Sequence, residues 1–283
     1  MKKISITTSC YNEEENIPEL CQRIKEVFSN LNYDYEVLIA NNGSTDGTLG
    51  VLEQMAAEDK RIKVIVNSRN FGPMRSGYSA FLQADGDAAI LMASDLQDPP
   101  EMIPEFIKKW EEGYKIVLAQ KTKSKENKLV YAFRKLYYKI SNKISETEML
   151  ENVTGFGLYD KHIVDILRSL NEPNPFMKSI LGEIGFEKAI IEFTQPKRIH
   201  GKSSYSLYQY YDLVMLGVVN NSKMPLRVAT IAGFFIGFLS FLIALVYLVL
   251  KLVFWDTFDL GMAPVLIGIF GFAGLQLFFL GLI

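Results

Sequence analysis

Short apolar runs alternate with longer amphipathic stretches from the N-terminus to about residue 120. Ile4-Ser5-Ile6-Thr7-Thr8, Tyr35–Ala40, Ile62–Val66 and Ala88–Met92 have the length and apolar character of strands. Between them, Glu14–Phe28, Thr48–Asp59 and Met74–Ala84 carry apolar residues at helical spacing. Strand and helix in strict alternation predict a parallel sheet with helices on its faces, since parallel neighbours can be joined only by a crossover. In such sheets ligands bind beyond the carboxyl ends of the strands. The polar turns Ser9–Glu13, Asn41–Asp46, Asn67–Gly72 and Ser94–Asp98 all fall at such ends. Four polar loops on one edge predict a pocket there.

The pattern changes towards the C-terminus. Val228–Leu250 and Leu260–Ile283 contain no charge, and each exceeds the roughly 20 residues needed to cross a bilayer core. Two transmembrane helices are expected, joined by the loop Lys251–Asp259, with Phe254 and Trp255 in an interfacial aromatic belt. Ser206–Met224 mixes apolar residues with few charges and predicts a helix lying on the membrane surface. Lys121–Glu148, rich in Lys and Tyr, suggests a flexible segment followed by an amphipathic helix. The chain thus divides into an N-terminal domain over 1–205, a juxtamembrane helix over 206–226 and a membrane part over 227–283. Lys223 and Arg227 precede the first span, whereas the loop between spans holds Asp256 and Asp259 against Lys251. This asymmetry predicts a multi-pass protein of the cell's inner membrane with its N-terminal domain in the cytoplasm. The small residues of Gly233-x-x-x-Gly237 suggest helix association, hence a homo-oligomer.

Composition narrows the chemistry. The 283 residues are 49% hydrophobic with a net charge of −2, and no basic stripe points to nucleic acid. Cys10 and Cys21 lack metal-ligand spacing and read as ordinary thiols, and His162 and His200 offer no zinc site. There is no GxxxxGK[ST] loop and no GxGxxG after a strand, which removes P-loop and dinucleotide chemistry. The opening MKKISITTSCYNEEE is not a signal peptide.

The stretch MASDLQDPPE, after the fourth strand, is chemically the most informative. Asp95, Gln97 and Asp98 supply oxygen atoms suited to a hard divalent cation, Mg²⁺ or Mn²⁺, which keeps coordination positions for phosphate. Such an ion offsets the charge developing on a departing diphosphate. The plainer reading makes Asp98 the N-cap of a helix that begins at the prolines. It accounts for Asp98 and leaves Asp95 unexplained.

Ser9-Cys10-Tyr11-Asn12-Glu13-Glu14-Glu15-Asn16-Ile17, Asn42-Gly43-Ser44-Thr45-Asp46-Gly47-Thr48, Ser68-Arg69-Asn70-Phe71-Gly72 and Asp95-Leu96-Gln97-Asp98-Pro99-Pro100-Glu101 together resemble the motifs of family-two glycosyltransferases. More narrowly, the chain resembles the polyprenol-phosphate glycosyltransferases, the group of bactoprenol glucosyltransferases and dolichol-phosphate mannose synthases. Arg198–Tyr205 and Met224–Arg227 extend the likeness to the membrane. The resemblance implies a GT-A-like, Rossmann-type, mostly parallel α/β sheet with flanking helices. It also implies inverting transfer of a sugar from a nucleotide diphosphate, UDP being the expected carrier, to polyprenyl (undecaprenyl) phosphate. Ser9, Tyr11, Glu13, Asn41, Asn42, Asp46 and Arg69 would hold the nucleotide. Asp95 and Gln97 would hold the metal, and Arg198 and Lys202, with Arg134, would meet the acceptor phosphate.

Three departures from the family pattern stand out. Ala93 replaces the first acid of Asp-x-Asp, Asn41-Asn42 replaces an acidic pair, and Gly155 and Gly157 stand where relatives carry Asp and Arg. A phosphate monoester is already mostly ionised at neutral pH, so a lipid-phosphate acceptor tolerates the missing base and a sugar hydroxyl does not. A glycan or glycolipid hydroxyl as acceptor would need Asp98 as base. A catalytically impaired nucleotide-sugar-binding scaffold is the third reading, resting on Ala93 and Gly155.

Overall fold

The computed structural model describes residues 1–122, 153–172, 175–196, 198, 215, 224–254 and 263–280. Lys202, Arg134, Trp255, the segment 123–150 and nearly all of the expected juxtamembrane helix lie outside them. The described residues fall into two compact units, divided between Val214 and Met215.

The first unit is built on a seven-stranded sheet. Its strands are β1 (Lys3–Cys10), β2 (Asp34–Asn41), β3 (Ile62–Val66), β4 (Ala88–Leu91), β5 (Ile116–Lys121), β6 (Val153–Asp160) and β7 (Lys188–Phe193), in the order β3-β2-β1-β4-β6-β5-β7. All six neighbouring pairs would be parallel if β6 ran with the other strands. Instead β6 runs antiparallel to both β4 and β5, while the remaining pairs are parallel.

Helices cover both faces. α1 (Asn16–Ser29), α2 (Thr48–Glu58) and α4 (Ile103–Glu111) pack on one side, and α3 (Pro73–Phe81), α5 (Lys161–Leu170) and α6 (Met177–Ile184) on the other. This sandwiching explains why β2 is buried along its length rather than alternating. In α1 the spacing of Ile17, Leu20, Cys21, Ile24 and Phe28 forms one continuous buried stripe. Full burial of Ile17, Leu20 and Ile24 stabilises the layer by about 1.5–3 kcal/mol each. Between them, the two layers hold β1 and β4 rigidly, and so fix where their carboxyl ends deliver the polar loops.

The second unit contains α7 (Met224–Val253) and α8 (Ala263–Leu280). Arg227–Val246 in α7 is long and apolar enough to cross a membrane, and the apolar stretch of α8, Gly268–Leu277, is shorter. Large side chains such as Phe235, Phe241 and Phe272 project outward from the pair. Small residues line the seam between the helices. A side-chain carbon on Gly274 would come within 2.6 Å of the Gly237 nitrogen and 3.0 Å of the Gly233 carbonyl oxygen. The Gly233-x-x-x-Gly237 stripe, expected to bind a second copy, therefore packs against α8 of its own chain. The chemistry is as anticipated, but the partner is internal.

Candidate active site

The carboxyl ends of β1 to β4 are stitched together by short polar side chains. After β1 the backbone turns through Asn12, which has φ 57°. Its amide oxygen accepts from the Thr45 nitrogen at 2.8 Å, and its own N–H donates to Ser44 Oγ at 3.1 Å. The Glu13 N–H donates to Thr48 Oγ1 at 2.9 Å, and that hydroxyl donates in turn to Asp46 at 2.6 Å. Ser94 Oγ donates to the Ser9 carbonyl at 3.0 Å, tying the loop after β4 to the end of β1. Ser9 Oγ reaches the Pro73 carbonyl at 3.4 Å, at the start of α3.

Asn41 and Asn42 lie beneath this surface, each 2% exposed. Asn41 Oδ1 accepts from the Ser44 N–H at 3.1 Å. Asn42 Nδ2 donates to Asn70 Oδ1 at 3.0 Å, while Asn42 Oδ1 accepts from the Phe71 N–H at 2.9 Å and from Asn67 Nδ2 at 3.3 Å. Asn41 thus closes its own turn, while Asn42 joins that loop to the one after β3. Asp46 and Arg69 lie at the exposed rim, the Arg69 guanidinium 4.2 Å from the Phe71 ring centre, and Tyr11 is half-buried.

The loop after β4 has a defined shape. Asp95 Oδ1 accepts from the Gln97 N–H at 3.2 Å, bending the chain around Leu96, whose φ is 62°. Leu96 is nonetheless 1% exposed, its side chain in the core. Asp98 turns inward and accepts from the Ala93 N–H at 2.9 Å, closing the loop. The expected N-cap role of Asp98 is therefore corrected. Pro99 is the residue preceding the helical turn at Pro100–Met102, and no side chain caps it. Burial pushes the Asp98 carboxyl up to about 6, the Ala93 N–H opposing and nearby Asp95 adding to the rise.

Residues far apart in sequence meet at Asp95. Gln97 Nε2 donates to the Pro196 carbonyl at 3.4 Å, drawing the chain after β7 towards the loop. Arg198 then donates to Glu13 Oε1, and its other terminal nitrogen lies 3.7 Å from Asp95 Oδ2. Glu13 is 8% exposed and its second oxygen accepts from Asn16. Of the expected residues, the structure brings Glu13, Asp95, Gln97 and Arg198 together. Among the described residues no three His, Cys, Asp or Glu side chains gather into a metal cage. A Mg²⁺-type ion needs no such cage, because it binds through one or two carboxylates plus water and substrate phosphate. Asp95 and the Gln97 side-chain oxygen fit that requirement.

The two glycines of β6 have backbone reasons. A side-chain carbon on Gly157 would lie 2.1 Å from the Val117 carbonyl oxygen on β5, so the strand pair excludes it. Gly155 has φ 96°, and its carbonyl accepts from the Tyr159 hydroxyl at 2.7 Å. Cys10 and Cys21 are buried free thiols, each pushed by burial up to about 12, as their lack of pattern implied.

Comparison with known proteins identifies the family. The pattern defining Glycosyl transferase family 2 matches residues 5–167. The chain belongs to glycosyl transferase family 2. This glycosyltransferase is 34% identical over 283 residues to an uncharacterized glycosyltransferase, YkcC, of Bacillus subtilis (strain 168), a match covering 99% of this chain and 86% of that one. It is 33% identical over 282 residues to the bactoprenol glucosyl transferase of Shigella phage SfV, covering 99% of this chain and 92% of that one. In fold it is similar to glucosyl-3-phosphoglycerate synthase from Mycobacterium tuberculosis, solved in complex with Mn²⁺, UDP and phosphoglyceric acid. That likeness has a TM-score of 0.54 at 14% identity and covers 77% of each chain. The GT-A-like α/β fold expected from the sequence is therefore present, with β6 as its antiparallel member.

Proposed function

We propose that this glycosyltransferase moves a sugar, glucose in the first instance, from a UDP-linked donor to the phosphate of a polyprenyl phosphate, at the cytoplasmic face of the inner membrane. The observation that carries the reading is the meeting of Asp95, Gln97, Glu13 and Arg198 at one sheet edge. This happens in a chain similar over 99% of its length to a bactoprenol glucosyl transferase. The roles of Ser9, Tyr11, Glu13, Asp46 and Arg69 as nucleotide contacts belong to the same proposal. Asn41 and Asn42 support those loops from below.

Asp95 and Gln97 would hold the Mg²⁺ or Mn²⁺, which when bound would supply positive charge to the departing diphosphate. Arg198, with Lys202, holds the acceptor phosphate in charge-assisted hydrogen bonds and orients one of its oxygens towards the anomeric carbon. That oxygen attacks from the face opposite the diphosphate and inverts the configuration. The acceptor arrives ionised, so Gly155 and Gly157 deprive the reaction of nothing it needs. A hydroxyl acceptor would depend on Asp98, which is 6% exposed and engaged with Ala93. α7 serves as a membrane span and α8 as the second, keeping the acceptor's isoprenoid tail in lipid.

The test is transfer by the full chain in detergent with Mn²⁺, undecaprenyl phosphate and radiolabelled UDP-, GDP- and dTDP-sugars. Metal-dependent label in the lipid fraction with UDP-glucose, released with inverted configuration, is expected. Label appearing only on a glycan hydroxyl, or retained configuration, would overturn the proposal.

A further inference from the structure

α8 carries a single polar side chain. In Ala263–Leu280 only Gln276 has a nitrogen or oxygen beyond its backbone. Its carboxamide is exposed and has no hydrogen-bond partner among the described residues. The seam with α7 fixes its depth. A carbon added at Gly274 would meet Gly237, and one added at Gly271 would lie 3.8 Å from the Ser240 side chain. The two helices therefore run antiparallel, and continuing that register sets Gln276 level with Phe235. Arg227, where the apolar span of α7 begins, is about eight residues away, or about 12 Å of helix. A glutamine side chain is too short to carry its amide from there to the headgroups, and an amide left unpaired in hydrocarbon is costly.

The residues around Gln276 say what covers it. Val265, Ile269, Phe272, Gln276 and Phe279 follow one another at spacings of four, three, four and three, the seam of a left-handed helix pair. All five are exposed, Phe272 at 71%, and they lie across α8 from Gly274, which is committed to α7. Copies of one membrane protein insert in the same orientation. A two-fold axis along the membrane normal then sets two α8 helices parallel, with Gln276 opposite Gln276 at one depth. A carboxamide both donates and accepts, so it is its own complement, whereas a lipid tail offers it nothing. Resting on the reading of α8 as a second span, we infer that a second copy of this chain docks on the outward face of α8, and that the paired Gln276 side chains set its register.

Cysteine cross-linking of the full chain in native membranes reads this face, and the native thiols Cys10 and Cys21 are buried. Under copper-phenanthroline oxidation, Phe272→Cys and Phe279→Cys should each give a disulfide-linked dimer on non-reducing gels. Phe270→Cys, at a position 58% exposed on another side of α8, should give several-fold less. Adding Gln276→Leu to Phe272→Cys should cut the dimer yield several-fold, and Gln276→Asn, which keeps the carboxamide, should cut it less. If Phe270→Cys cross-links as readily as Phe272→Cys, or Gln276→Leu leaves the yield unchanged, the contacts are random collisions and the inference falls alone. If a membrane-impermeant maleimide labels Phe272→Cys, α8 is not a span, and that reading falls together with the inference.

Discussion

Replacing Asn42 with alanine separates a supporting role from a direct one. The side chain is 2% exposed and makes three hydrogen bonds, to Asn70, Phe71 and Asn67. Two of those partners keep an alternative: Asn67 Nδ2 also donates to Ser76 at 2.9 Å, and Asn70 Oδ1 also accepts from the Gly72 N–H at 2.8 Å. The Phe71 N–H depends on Asn42 and would be left unpaired. At about 1 kcal/mol net for each of the other two bonds and about 1–3 kcal/mol for the orphaned donor, the loss comes to roughly 3–5 kcal/mol. Chemical unfolding of the full chain in detergent measures this, with Trp110 in the core as reporter and Trp255→Phe as background. The Asn42→Ala midpoint should fall by an amount equivalent to that loss, and affinity for Mn²⁺ with UDP should weaken only as far as the loops loosen. An unchanged midpoint together with a tenfold loss of nucleotide affinity would refute the reasoning and make Asn42 a direct contact to the donor.

Other expected outcomes follow from the same geometry. Asp95→Asn keeps an oxygen for the Gln97 N–H, so the unfolding midpoint should stay within about 0.5 kcal/mol. Transfer should be abolished and Mn²⁺ with UDP should bind at least tenfold more weakly by calorimetry, whereas retained metal binding would remove Asp95 from the metal site. Gly157→Ala must push β6 away from the Val117 carbonyl and should lose about 3 kcal/mol, read as a lowered unfolding midpoint; an unaffected midpoint would show that the strands separate freely. Glu36 is buried, which raises its pKa, but hydrogen bonds from Lys3, Lys63 and Ser5 outweigh burial and bring it down to about 2 from 4.5. A folded pKa below the unfolded one means stability present above about pH 4.5 and lost as pH falls towards 2. The shift corresponds to about 3 kcal/mol, which screening at the half-exposed Lys63 reduces to about 1–2 kcal/mol. Glu36→Gln should lack that acid-dependent component, and parallel stability profiles for the two proteins between pH 5 and 2.5 would contradict it.

The first four strands and their parallel pairing were legible in the sequence, because each strand is a short apolar run closed by a polar turn. The reversal of β6 was not. Gly155 and Gly157 in that strand invite a chemical reading as missing catalytic groups until the β5 backbone is seen to lie against Gly157 and the backbone at Gly155 to take a φ of 96°. Asn41 and Asn42 were equally ambiguous, since an amide offers the same donors and acceptors to a nucleotide as to the next loop. Asp98 in front of two prolines has the composition of a cap, but its loop folds back and gives it the Ala93 N–H instead. The contact between Glu13 and Arg198 joins residues 185 positions apart, and no local pattern encodes such a pairing. Only the shared direction of β1, β4 and β7, which brings their carboxyl ends to the same edge, makes it geometrically available.

Leu96 combines a left-handed backbone with a side chain sunk in the interior. A leucine reaches that conformation at a penalty of about 1–3 kcal/mol, and burial of its side chain contributes a comparable amount in return. The bend that presents Asp95 and Gln97 is thus riveted from beneath by oil, and it should keep its curvature in metal-free protein. The reaction then becomes sensitive to residues that never approach a substrate. An ordinary change of volume in the apolar layer under Leu96 would tilt the proposed metal ligands, so the hydrophobic interior is a route by which catalysis can be tuned while every polar residue at the surface stays the same.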